Sequence, residues 1–205
     1  MYIPKLFQVK EIKEIKQFIA ENSFGTIISQ SDGQLVATHT PMLLRKIDGQ
    51  YIITGHMAKA NPQWKDLVSS NENVLIIFQG PHTYVSSSWY EAENVPTWNY
   101  QVVHVYGNVR IMSEEELVED LTILLEKYEK DRVNPILWET LSAKTKQQVK
   151  AIVGFKVIIE DIQAAYKLSQ NRNSKDFDNI IEKLSEGDDQ AKLISEAMRS
   201  IRKDN

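Results

Sequence analysis

The stretch Thr54 to Trp64, TGHMAKANPQW, sets a hydroxyl, a glycine, an imidazole, a lysine and an Asn-Pro pair close together. Asn61 suits an N-cap and Pro62 a first helical residue, so a short helix through Trp64, Leu67 and Val68 is expected to start here. Free N–H groups at that start, with Lys59 just upstream, make a candidate phosphate site. A second set of chemically able residues lies between Val85 and Met112, where Trp89, Tyr90, Trp98 and Tyr100 accompany Ser86, Ser87, Ser88, Thr97 and Asn99. Flat rings beside hydroxyl and amide groups suit a planar, polar-edged ligand, and equally suit a barrel end or a subunit interface.

Other chemistries lack their residues. There is no cysteine, which excludes disulfides, thiolate catalysis and Cys-ligated metals. His39, His56, His82 and His104 are scattered, with no HExxH, so no metal site is expected. GxxxxGK[ST], GxGxxG and GxSxG are absent. Glu91 and Glu93, on a loop, make a poor acid–base pair. No catalytic side chain is assigned; the pattern points to cofactor binding, in which the cofactor supplies the chemistry and the protein its placement.

The elements that must position these residues read mainly as strands. Val9 to Asn22 has helical spacing, with apolar residues at 12, 15, 18 and 19. Phe24–Ser29 and Gln34–Leu44 flank a Ser31-Asp32-Gly33 turn as a hairpin, and Gln50–Thr54 follows as a third strand. Asn73–Gln79 reads as a strand buried on both faces. Gln101–Met112 alternates, with Val103, Val105, Gly107, Val109 and Ile111 on one side. Ser113-x-x-Glu116 is a capping box that opens a helix. Short helices are expected over Arg132–Thr140 and Ser142–Ile152, then a long strand from Gly154 with a bend at Glu160-Asp161.

From Ser174 two amphipathic helices follow, broken at Gly187-Asp188. Residues 173–205 hold six basic and eight acidic side chains, a net of −2, so packing on the barrel or across a dimer is expected rather than a recognition helix. The whole chain of 205 residues carries −4, which argues against a broadly basic surface, although a local basic patch can hide in that average. No signal-like or membrane-spanning apolar run is present, and a cytoplasmic protein is expected.

Taken in order, MYIPKLF, FGTIIS, ATHTPMLL, GHMAKANPQW, YVSSSWY, VPTWNYQVVHVYG and KLSQNR resemble the PaiB family of FMN-binding split-barrel transcriptional regulators. The resemblance implies an α+β fold: a six-stranded split β-barrel of the pyridoxamine-phosphate-oxidase-like kind over residues 1–172, with inserted helices at 113–152. The terminal helical pair, 173–205, is matched more loosely. It also implies a homodimer with flavin at the interface. Lys59 would be the charge partner of the FMN phosphate within the Thr54–Asn61 stretch. Thr38, His39, Thr54, Gly55 and His56 would line the ribityl and ring side, with Trp89, Trp98 and Tyr100 closing the pocket. Ala58-Lys59-Ala60 stands where related oxidases carry an Arg-Lys pair, so a looser hold on FMN is implied. A repressor of sporulation and degradative-enzyme genes is the first functional expectation. An FMN-dependent oxidoreductase is the second, and a haem-binding split barrel the third. DNA binding is implied by the family alone.

Overall fold

A computed structural model describes residues 1–31, 33–69 and 73–203. Seven antiparallel strands carry the fold: β1 (Gln8–Val9), β2 (Phe24–Ser31), β3 (Gln34–Ile47), β4 (Gln50–Ala58), β5 (Val74–Val85), β6 (Thr97–Ile111) and β7 (Ile152–Lys167). Their order is β1-β7-β4-β3-β2-β5-β6, and β7 also pairs with β6, so the sheet closes into a ring of the split-barrel type. The six long strands are those expected, with β2 to β5 running further at their C-terminal ends, β6 and β7 starting earlier, β5 starting one residue later and β6 ending one residue sooner; the two-residue β1 is the addition.

Alternation sets the register. In β6, Val103 and Val105 are fully buried while Val102, His104 and Tyr106 are only half-buried. β2 and β3 form the expected hairpin, with Ile27 opposite Thr38 and Phe24 opposite Pro41. Gly33 has a φ of 79°, which a residue without Cβ adopts at no steric cost; Asp32 of that turn lies outside the described residues. The β3–β4 turn uses Asp48 and Gly49, both at positive φ. β7 runs through Glu160-Asp161 as one strand.

Helices α1 (Ile12–Glu21), α2 (Gln63–Ser69), α3 (Glu114–Glu129), α4 (Ala143–Lys146), α5 (Ser174–Ser185) and α6 (Asp189–Lys203) complete the chain. Ser113 and Glu116 form the expected capping box at α3. The helix expected over Arg132–Thr140 shrinks to one 3₁₀ turn, Trp138–Thr140. Pro135 disfavours helix for Asn134 before it, and Val133 and Ile136 are 97% and 55% exposed, so no buried face holds a helix there. The next expected helix divides into α4 and a 3₁₀ segment, Gln147–Ala151, with Ser142 as its cap.

The chain separates into two compact units, one of Met1–Phe18, Gln79–His104 and Gln163–Asn205, the other of Ile19–Phe78 and Val105–Ile162. The second centres on Ile27, Met42, Ile53, Ile76, Phe78, Phe155 and Val157, all at most 1% exposed. In the first, α5 and α6 bury Ile180, Leu184, Ile194 and Met198, and Ser195 donates to Ile181 O.

Candidate functional site

The Thr54–Trp64 stretch folds as the end of β4, a tight turn and α2. Lys59 N donates to Ala151 O at 2.8 Å and Asn61 N to Ala58 O at 2.9 Å. Asn61 Oδ1 accepts from Gln63 N at 3.0 Å, the capping contact expected of it, although α2 begins one residue later than expected. These bonds consume most of the N–H groups that spacing alone offered to an anion, and Pro62 has none. The helix start thus offers fewer N–H groups than expected, and the side chain of Lys59 remains. It is exposed, and among the described residues no carboxylate pairs with it.

Gln63, which the sequence reading passed over, organises this corner. Its side chain is fully buried, and Nε2 lies 3.0 Å from Ser29 Oγ, 3.1 Å from Val36 O and 3.3 Å from Ile27 O. Thr38 Oγ1 donates to Gln63 Oε1 at 2.5 Å and accepts from Asn61 Nδ2 at 2.8 Å. Thr38 and Asn61 thus hold α2 against β2 and β3. His39 stands apart, exposed, with its ring stacked 6.3 Å from that of Phe24.

Alternation along β4 sends Gly55 one way and Thr54 and His56 the other. A Cβ at Gly55 would meet Phe155 Cζ at 2.8 Å and Met42 Cγ at 2.9 Å, so the residue is small because the core is full. Thr54 and His56 lie towards α3, which contributes Asp120, 1% exposed. Burial pushes the Asp120 carboxyl above its usual range, opposed by the Thr54 hydroxyl, by Arg45 and by His56. Burial likewise lowers His56, against the pull of Asp120, and its Nδ1 is buried without a hydrogen-bond partner. Arg45 Nη1 is 3.5 Å from Asp120 Oδ1 while Nη2 pairs with Glu119. Lys156 pairs with Glu116, whose carboxyl it holds below the usual range. A cleft of about 250 Å³ opens here, lined among others by Arg45, Ile52, Thr54, Met112 and Lys156. Nothing in the spacing of residues 45, 54, 56 and 120 announces this cluster.

In the other unit, Ser87–Trp89 is a 3₁₀ turn capped by Ser86. Trp89 O accepts from Asn179 Nδ2 at 2.5 Å. Tyr90 is buried beneath the Arg172 guanidinium, 4.2 Å from its ring centre. Asn99, fully buried, accepts from Ser169 Oγ and contacts Met198 Sδ, so it serves packing rather than a ligand. Trp98 is 52% exposed and forms an aromatic surface with His82 and Tyr84, ring centres 6.0 and 6.2 Å away. Tyr100 is half-buried on the same strand. The KLSQNR segment places Ser169 at a φ of 61°, a strained conformation held by burial and by its bond to Asn99.

A ring of antiparallel strands with peripheral helices is the architecture of split-barrel flavoproteins. The chain resembles the FAD and heme binding protein from Mycobacterium smegmatis (TM-score 0.61, 12% identity, 83% of this chain and 78% of that one). It also resembles the flavocytochrome Anf3 from Azotobacter vinelandii (TM-score 0.62, 13% identity, 86% and 78%). At such identities the likeness is one of fold. A family model described as "Putative FMN-binding domain" matches residues 1–161. "Protease synthase and sporulation protein PAI 2" of Bacillus subtilis is 55% identical over 200 residues, 97% of this chain and 96% of the relative. The chain belongs to this PaiB-like FMN-binding family.

Proposed function

We propose that the chain is a transcriptional regulator of sporulation and degradative-enzyme genes that takes FMN, or a flavin like it, as its ligand at a homodimer interface. The observation that carries the reading is the 55% identity, end to end, with a relative named for protease synthesis and sporulation. Lys59 is the charge partner of the FMN phosphate, supported by its exposure and its lack of a carboxylate partner among the described residues. His39 lies open to a ligand, whereas Thr38 and Asn61 act through the corner they hold, and Thr54, Gly55 and His56 through the strand that leads to Lys59. Trp89, Trp98 and Tyr100 of a partner copy shelter the flat face of the ring. FMN, when bound, supplies a redox-active planar ring; the protein binds its phosphate, orients it and excludes water.

The homodimer is supported by one face of the sheet. On the outer side of β3, β2 and β5, Phe24 is 64% and Leu35 78% exposed, and Thr26, Ile28, Leu75 and Ile77 are half-buried on the same side. Apolar surface of this extent on a sheet suits a second copy of the chain.

The test is retention of protease and sporulation promoter fragments by the purified protein against scrambled fragments of the same length, over a range of salt and with and without FMN. Sequence-dependent, salt-sensitive retention is expected. Equal retention of both fragments, or none, removes direct regulation. The flavoprotein fold favours one second reading, an FMN-dependent oxidoreductase. Protein incubated with FMN that consumes NADH or NADPH in the presence of an electron acceptor would favour it.

A further inference from the structure

A net charge of −4 can conceal a local excess of lysine, and the unit formed by Ile19–Phe78 and Val105–Ile162 holds two adjoining stretches with such an excess. Two stretches distant in sequence meet where Lys59 N donates to Ala151 O at 2.8 Å and Ala58 pairs with Ile152. One runs from Ala58 to Ser69 and brings Lys59 and Lys65. The other runs from Trp138 to Ala151 and brings Lys144, Lys146 and Lys150. The only acids in the two stretches are Asp66 and Glu139, so five lysines and two carboxylates give a local net of +3 and leave −7 for the rest of the chain.

These lysines are not the usual salt-bridged surface. Among the described residues none of the five pairs with a carboxylate, whereas Arg45, Arg132, Lys156, Lys175 and Lys183 do. Lys59, Lys65, Lys144 and Lys150 are exposed. Lys65 and Lys146 sit over the rings of Trp64 and Trp138, 5.8 and 5.7 Å from the ring centres. Ser142 caps the segment, and Val149, 8% exposed, pins it to the body. Lys146 also donates to Glu139 O at 3.4 Å, and ammonium groups with no carboxylate partner among the described residues, in a chain whose remaining residues sum to −7, attract a polyanion.

We propose that the segment Ala143–Ala151, with its Lys144, Lys146 and Lys150, is the surface through which the protein grips the phosphate backbone of duplex DNA. The inference rests on the regulator reading and assigns the contact to residues outside the acidic terminal helix pair. Backbone neutralisation of this kind positions a protein on DNA without reading its sequence.

The experiment compares the full-length protein with the variant K144Q/K146Q/K150Q, leaving Lys59 untouched. Binding to a fluorescent duplex, both a promoter fragment and a scrambled one, is followed by anisotropy from low to physiological salt. Each lysine that neutralises a phosphate contributes about one unit to the slope of log affinity against log salt. The variant is expected to lose roughly two to three units of slope and most of its affinity on both fragments, while FMN uptake and circular dichroism stay as in the parent. If parent and variant bind with the same slope, the patch is wrong and direct regulation stands through another surface. If the parent binds no duplex, both the patch and direct regulation fall. Loss of affinity for anionic phospholipid vesicles with no duplex binding by the parent would overturn the choice of partner.

Discussion

Asp120 is the residue whose environment most constrains its neighbours. A carboxylate at 1% exposure is stable there only while Arg45 and Thr54 answer it. Arg45→Met removes the cation and leaves the charge, so unfolding in urea is expected to show a loss of about 3 kcal/mol. Asp120→Asn keeps the hydrogen-bonding shape without the charge and is expected to change stability by no more than about 1 kcal/mol at neutral pH. Equal losses in the two variants would mean that the pair acts by packing. His56 and Asp120 also set opposite pH dependences. The folded pKa of His56 is lowered, so its contribution is intact above the ordinary imidazole value of 6.5 and is lost as the pH falls through the folded value. That of Asp120 is raised, so its contribution is intact below 3.8 and is lost as the pH rises through the folded value. His56→Gln should flatten the acid-side fall in melting temperature that begins near 6.5, while Asp120→Asn should gain on the parent as the pH rises from 3.8. Parallel pH profiles for all three proteins would contradict this account.

Among the elements, the strands were the most legible. Period-two runs such as Val103 and Val105, and the Ser113–Glu116 box, are local signals, and local signals survive folding. Gln63 was not legible, because its role depends on β2 and β3 arriving around it; in sequence it is one polar residue in a helix start. The Arg45–Asp120 pair was hidden for the same reason, its partners lying 75 positions apart. At the start of α2, spacing counts N–H groups without revealing that those of Lys59, Asn61, Gln63 and Lys65 are already bonded. Gly107 marks where β6 and β7 close the ring: a Cβ there would lie 2.1 Å from Ile158 O. Gly107→Ala forces backbone to move and is expected to cost about 3 kcal/mol or more, read as a lower denaturation midpoint. An unchanged midpoint would show that the strands separate there at little cost.

For the whole molecule, charge and apolar surface are both unevenly spread. The segment 143–151 carries three lysines and no acid in a chain of net charge −4, and the outer face of β2 and β3 leaves Phe24 and Leu35 open. Phe24→Lys with Leu35→Lys should halve the mass seen by light scattering if that face joins two copies; an unchanged mass assigns the interface elsewhere. The identity of 55% with the Bacillus subtilis relative speaks to family, whereas the ligand must be decided at Lys59. The most direct measurement is a titration of the native protein and of Lys59→Ala with FMN, following the flavin absorbance and fluorescence. Saturable binding is predicted for the native protein, and a loss of roughly ten- to hundredfold in affinity for the variant, as removal of one charge-assisted contact requires. FMN that leaves both spectra unchanged, or that binds both proteins equally, would contradict the account.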